Sequence, residues 1–286
     1  MRLKVGRLLV LVIVVATFSA AYHYYTKFYL SPFARFTEGT TKLRLGDLAG
    51  AEKEWRQLER LTDLAPTQRS ALQERFSLLE QCRRLSAKKA RAYVNKALTI
   101  CRHLQPAIDE ERLTQTDIDK LQEALGYLEL AAMYRNSDAR YGYLVAYVTL
   151  HLGLLNEAAP LVKAVAEANP TSADTVVLLA IYHEQIGDLE EAISALLGAL
   201  QINPNHRWAN YYLATYLIKN GEGGQQAFEA AQKAAITDRV WAKKLATLFA
   251  PWPEQRKTLE QLAVQAASKK KVYSLDNVLR SGHSGQ

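Results

Sequence analysis

The chain has 286 residues, 49% of them apolar and 23% charged, which is enough to bury a core and excludes a disordered or collagen-like polymer. Pro (8) and Gly (14) are sparse and Ala, Leu, Glu, Gln, Lys and Arg dominate, so the fold class is all-α and a sandwich or barrel is excluded. The net charge of +7 gathers at the ends: residues 1–44 hold seven Lys and Arg against Glu38 alone, and residues 255–286 hold six against Glu260 and Asp276, leaving a net −3 between them and no footprint for nucleic acid.

The first predicted element is apolar. Leu8–Ala21 contains no charge, and Tyr22, Tyr24, Tyr25, Phe28 and Tyr29 follow as a ring-rich membrane-interface belt. Leu8–Tyr25 reaches about 27 Å as a helix, enough for a bilayer core. Arg2, Lys4 and Arg7 make the N-terminal flank positive, so residues 1–30 read as a single-span signal-anchor, with the N-terminus in the cytoplasm and the body in the periplasm. Ser19-Ala20-Ala21 also fits a small-residue cleavage site, so a removed signal peptide is the rival reading; the tyrosines after Ala21 favour retention.

The body is periodic, with a period of 34. Ala90, Ala124, Ala158 and Ala192 form one ladder, Val94, Leu128, Val162 and Leu196 a second, and Ala97, Ala131, Val165 and Ala199 a third. These positions are i, i+4 and i+7 on one helix face, the stripe that packs on a neighbouring helix. An earlier helix of each pair carries Val145-Ala146, Leu179-Ala180 and Leu213-Ala214, and Gly153, Gly187 and Gly221 stand at the turns between. Gly46-Asp47-Leu48-Ala49-Gly50-Ala51 with Trp55 and Leu58 gives a first copy; Gly221-Glu222-Gly223-Gly224 gains one residue and moves the last stripe to Ala227, Ala231 and Ala234.

This pattern resembles the tetratricopeptide repeat, most fully in residues 173–206 through Leu179-Ala180, Gly187, Ala192, Leu196, Ala199 and Pro204. The resemblance implies a right-handed superhelical solenoid of about six helix-turn-helix repeats, near 32–66, 67–104, 105–138, 139–172, 173–206 and 207–238. The expected layout is thus an anchor (1–30), a solenoid (31–238), capping helices (239–268) and a basic tail (269–286). Residues 67–84 and 104–116 lack the first-helix signature, and Gln105–Asp117 is polar with Pro106, so those two repeats are expected to rest on their second helices.

No constellation for chemistry stands out. His183-Glu184 lacks the second His of a zinc-protease helix, the Gly221–Gly224 run has no following Lys-Ser/Thr, and the six His are dispersed, so no catalytic, cofactor or metal residue and no small-molecule substrate is expected. Cys82 and Cys101 read as buried helix-face residues rather than a disulfide. The resemblance implies a concave groove on the first helices that holds a peptide or partner helix. Carried over, its lining is Tyr143, Val177 and Tyr211 at one level, Tyr147, Ile181 and Thr215 at the next, then His151, Gln185 and Lys219, with Trp208 nearby. Such a groove is aromatic and apolar, suited to protein hot spots, while the same rings also suit inter-repeat core. The expected function is a protein-binding scaffold or accessory subunit of a bacterial envelope complex. A periplasmic chaperone-like holder of unfolded or apo clients and an organelle-membrane receptor with cytosolic repeats are the alternatives.

Overall fold

The computed structural model describes residues 32–61, 64–109, 112–137 and 140–266. The expected span and its belt (Tyr22, Tyr24, Tyr25, Phe28 and Tyr29) and the basic tail 269–286 lie outside the described residues. Among the described residues there are thirteen α-helices and no strand. None of these helices is long and apolar enough to cross a membrane.

The chain divides into two compact units, one built from residues up to Leu43 and Asp47–Glu80, the other from Arg44–Gly46 and everything from Gln81 onward. The first unit holds α1 (Pro32–Arg44, to Leu43), α2 (Leu48–Glu59) and the larger part of α3 (Pro66–Arg84). Asp47 caps α2 by accepting from the Gly50 N–H. Trp55 is fully buried at its centre, donating to the Phe36 carbonyl at 3.3 Å and meeting the Phe76 ring edge-on at 6.4 Å. Lys42 reaches Glu54 at 2.7 Å and Glu38 at 2.9 Å. Burial works against its charge, but the hydrogen bonds it donates to the two carboxylates outweigh it and hold the ammonium above its usual range.

The second unit runs α4 (Ala87–Asp109), α5 (Gln115–Ala131), a 3₁₀ turn (Ala132–Ser137), α6 (Arg140–His151), α7 (Leu155–Ala168), α8 (Ala173–Gln185), α9 (Leu189–Ile202), α10 (Arg207–Lys219), α11 (Gln225–Ala235), α12 (Arg239–Leu248) and α13 (Pro253–Ala266). Consecutive helices pair as hairpins, and each first helix from α4 to α12 also touches the next first helix along the stack. The twelve ladder residues from Ala90 to Ala199 are all buried, as are Ala227, Ala231 and Ala234. Their small side chains let the helices close on one another. Gly153, Gly187 and Gly221 take φ of +71°, +86° and +79°, the left-handed turn that stops each first helix. Gly223 serves the inserted residue differently, because a Cβ there would collide with the Trp252 ring.

Two expectations need correction. α4 runs on through Pro106 to Asp109, Thr114 then opens α5 with a capping box, and among the described residues no separate helix lies between them. Hydrogen bonds from Thr114 hold the Asp117 carboxyl of that box below its usual range. The Ala90 and Ala124 stripes therefore sit on the two arms of one hairpin, α4–α5, rather than on the second helices of two repeats. The expected repeat 67–104 is likewise divided, since the boundary between the units falls within α3. The expected capping region is helical through Ala266, as α12 and α13.

One buried ion cluster holds the second unit. Arg44, 4% exposed, donates to Glu129 at 2.8 Å and also to Glu157, while Tyr141 donates to the Arg44 carbonyl at 3.0 Å. Cys82 donates to the Glu129 carbonyl at 3.3 Å.

Candidate functional site

Residues 34 apart on α6, α8 and α10 share a level, as the period requires. Both apolar levels are closed. Tyr143, Val177 and Tyr211, then Tyr147, Ile181 and Thr215, together with Trp208, are all buried. At these two levels the side chains are interior, the inter-repeat core that the sequence left open beside a partner-facing lining. Tyr143 and Tyr147 stack at 6.0 Å along α6, and the Tyr147 hydroxyl lies 3.1 Å from Gln105 Oε1 on α4. Burial pushes the Tyr143 phenol well above its usual range. Thr215 spends its hydroxyl on the Tyr211 carbonyl, at 3.0 Å.

The third level stays in contact with solvent. Gln185 and Lys219 are exposed, and His151 is half-buried. Lys219 donates to Glu184 of the preceding first helix at 2.8 Å. The His151 ring meets Tyr147 edge-on at 4.3 Å, and burial pushes its imidazole down to about 4. At neutral pH His151 is an uncharged donor and acceptor, beside a glutamine and a lysine on the next two repeats.

The far end is an aromatic knot that the sequence shows only in part. Trp208 meets Trp241 of α12 at 4.4 Å, Tyr211 stacks on Trp241 at 4.7 Å, and the Arg207 guanidinium lies 5.0 Å over the Trp241 ring. Trp241 belongs to a helix expected only as a cap, and its position after Asp238, the N-cap of α12, is the signal that could have found it. In the sequence His206 reads only as a dispersed histidine. It caps α10 by accepting from the Ala209 N–H at 3.1 Å, a role that its place between Pro204-Asn205 and the helix makes legible.

Little in this arrangement favours covalent chemistry. Among the described residues no group of three His, Cys, Asp or Glu is placed to hold a metal ion. Cys82 and Cys101 are free and buried; burial pushes their thiols up to about 11 and about 12, away from the thiolate that reacts.

Residues 149–210, which run from the end of α6 into α10, match the family model described as tetratricopeptide repeat. This stretch is similar to the tetratricopeptide repeat. Comparison with curated proteins finds no match. Among solved structures, the thermophilic tetratricopeptide-repeat protein TTC0263 of Thermus thermophilus is similar at a TM-score of 0.50 and 19% identity, over 67% of this chain and 96% of that one. That likeness shows a tetratricopeptide-repeat-like fold over about two thirds of the chain. Weaker likenesses are to MamA (TM-score 0.42, 18% identity, 54% of this chain and 95% of that one) and to YrrB, described as having an unusual peptide-binding site (TM-score 0.39, 16% identity, 66% of this chain and 89% of that one).

Proposed function

We propose that this chain is a membrane-anchored protein-interaction scaffold, an accessory subunit of a bacterial inner-membrane or envelope complex. The tether is the apolar run Leu8–Ala21 with its tyrosine belt, and the positive flank of Arg2, Lys4 and Arg7 sets the repeats in the periplasm. The observation that carries the reading is the tetratricopeptide-repeat-like segment, with a closed aromatic layer beneath a solvent-reaching row of His151, Gln185 and Lys219 on three consecutive repeats. A fixed layer under a polar row loses little side-chain entropy on binding, which favours a protein partner of complementary shape over loose capture of unfolded clients.

Two measurements on the full chain in its membrane test this. Protease added to spheroplasts should degrade the repeats, and N-terminal sequencing should start before Tyr22; protected repeats or a start at Tyr22 refute the tether. A photo-cross-linking residue at Gln185 should give one predominant protein adduct that the same residue at Val264, 75% exposed on α13, does not give. A ladder of many adducts at Gln185 would instead favour the chaperone-like holder.

A further inference from the structure

The body's slight negative charge conceals a concentrated positive face. Residues 81–108 contain seven Lys and Arg and no Asp or Glu, whereas residues 109–254 hold eleven against nineteen. Most of this excess lies on α4, where Lys88, Lys89, Arg91 and Lys96 are all exposed.

The α4–α5 hairpin has two faces. Val94, Ala97, Leu98 and Cys101 of α4 and Leu121, Ala124 and Leu128 of α5 are buried, and both helices touch α6. A solvent-facing surface of the hairpin is edged by α6, whose Arg140 donates to Asn95 at 2.9 Å. Along it runs a groove described by two adjoining depressions of about 810 and 460 Å³ that share Ala92 and Asn95. It extends from Ala87 to His103, about 24 Å at 1.5 Å per residue, or four to five helical turns. Ala92, Ile100 and the Tyr127 ring, itself stacked on Tyr93 at 5.4 Å, contribute small and apolar groups to its lining. Cations form its rim. The Lys96 ammonium is held 5.0 Å over the Tyr127 ring, Lys120 faces it from α5, and Lys88 and Arg91 stand at the other end. The acid within it, Glu123, already accepts from the Tyr127 hydroxyl at 2.9 Å.

We infer that this groove is a second docking site and that it receives an acidic amphipathic helix of a partner protein. The small lining residues admit a close helix, and the rim complements carboxylates spaced at i, i+4. An acidic segment is favoured over nucleic acid because the cationic stretch is one helix long and is followed by a net acidic one, which a long phosphate backbone would have to cross.

The test uses the full chain in zwitterionic detergent and fluorescence anisotropy of a labelled helical peptide, about five turns long, with Glu along one face and Ala and Leu along the other. Saturable binding is expected. Lys88→Gln, Arg91→Gln and Lys96→Gln together should weaken it about tenfold or more with the circular dichroism unchanged, while Lys163→Gln, an exposed cation on α7, should leave it as it was. Gln185→Glu with Lys219→Glu should also leave it unchanged, so this site and the one on α6, α8 and α10 stand or fall separately. No saturable binding below about 1 mM, or binding indifferent to the triple substitution, overturns the inference. So does tighter binding of a single-stranded DNA or of short-chain phosphatidylglycerol that the triple substitution abolishes, or self-association lost in the same variant, which would give the face to a second copy.

Discussion

His206 stands with its Nε2 3.1 Å from Asp174 Oδ1, a side chain of the preceding first helix, and this contact ties the cap of α10 to α8. Because Nδ1 accepts from the Ala209 N–H, the ring proton sits on Nε2 and points at the carboxylate. One side chain thus ends a loop, starts a helix and links two repeats. His206→Ala should cost about 1–2 kcal/mol in urea unfolding, and His206→Asn should recover most of the capping part. If Asn is no better than Ala, the cap is not what the histidine contributes.

Glu129→Ala should cost more, about 3–5 kcal/mol, because it leaves the Arg44 guanidinium buried without one of its carboxylates. Lys219→Ala breaks an exposed pair with Glu184 and should cost less than about 1 kcal/mol. Urea unfolding of both variants checks the order, and equal losses would mean that burial does not separate the two pairs.

Trp241→Ala should lose about 3–5 kcal/mol and loosen the C-terminal hairpin, since the indole is fully buried against Trp208 and Tyr211. Hydrogen exchange should show α12 and α13 opening ahead of α8 and α9. Uniform opening would contradict this.

The pH dependence has two sides. The folded-state imidazole of His151 is depressed to about 4 from an ordinary 6.5, so its contribution is present above pH 6.5 and is lost as pH falls towards 4. The thermal midpoint should fall over that window, and fall less in His151→Phe. Cys82 and Cys101 titrate higher in the folded chain than in the unfolded one, so their contribution is complete below about 9 and is lost as pH rises through about 11 to 12. At pH 8 neither thiol should react with a disulfide reagent until denaturant is added.

The sequence made the buried stripes legible because a period of 34 with small residues at i and i+7 has a direct packing meaning. It could not say which helix each stripe meets. Ala90 and Ala124 keep the spacing although α4 and α5 are arms of one hairpin, because a long first helix such as α4 restores the same offset. Pro106 and the polar run after it read as a weak first helix, whereas the chain simply continues and then turns. Of the candidate groove, the sequence offers the levels but not their depth: Tyr143 and Tyr211 are as consistent with a wall as with a filling, and only the distance between first helices decides. The cationic face of α4 is hidden in the sequence because its charge averages out against the acidic helices that follow.

The double substitution Tyr143→Ala and Tyr211→Ala is therefore expected to lower stability, since both rings are interior. A fall in the thermal midpoint is the check. Surface changes at Gln185 and Lys219 are the better probe of binding.

The most direct measurement is co-purification of the full chain from detergent-solubilised membranes, comparing the wild type with Gln185→Glu plus Lys219→Glu. The wild type should retain one partner at fixed stoichiometry, and the variant should lose it while keeping its helical content. Equal recovery of that partner with both chains, or no stoichiometric partner with either, would contradict the scaffold.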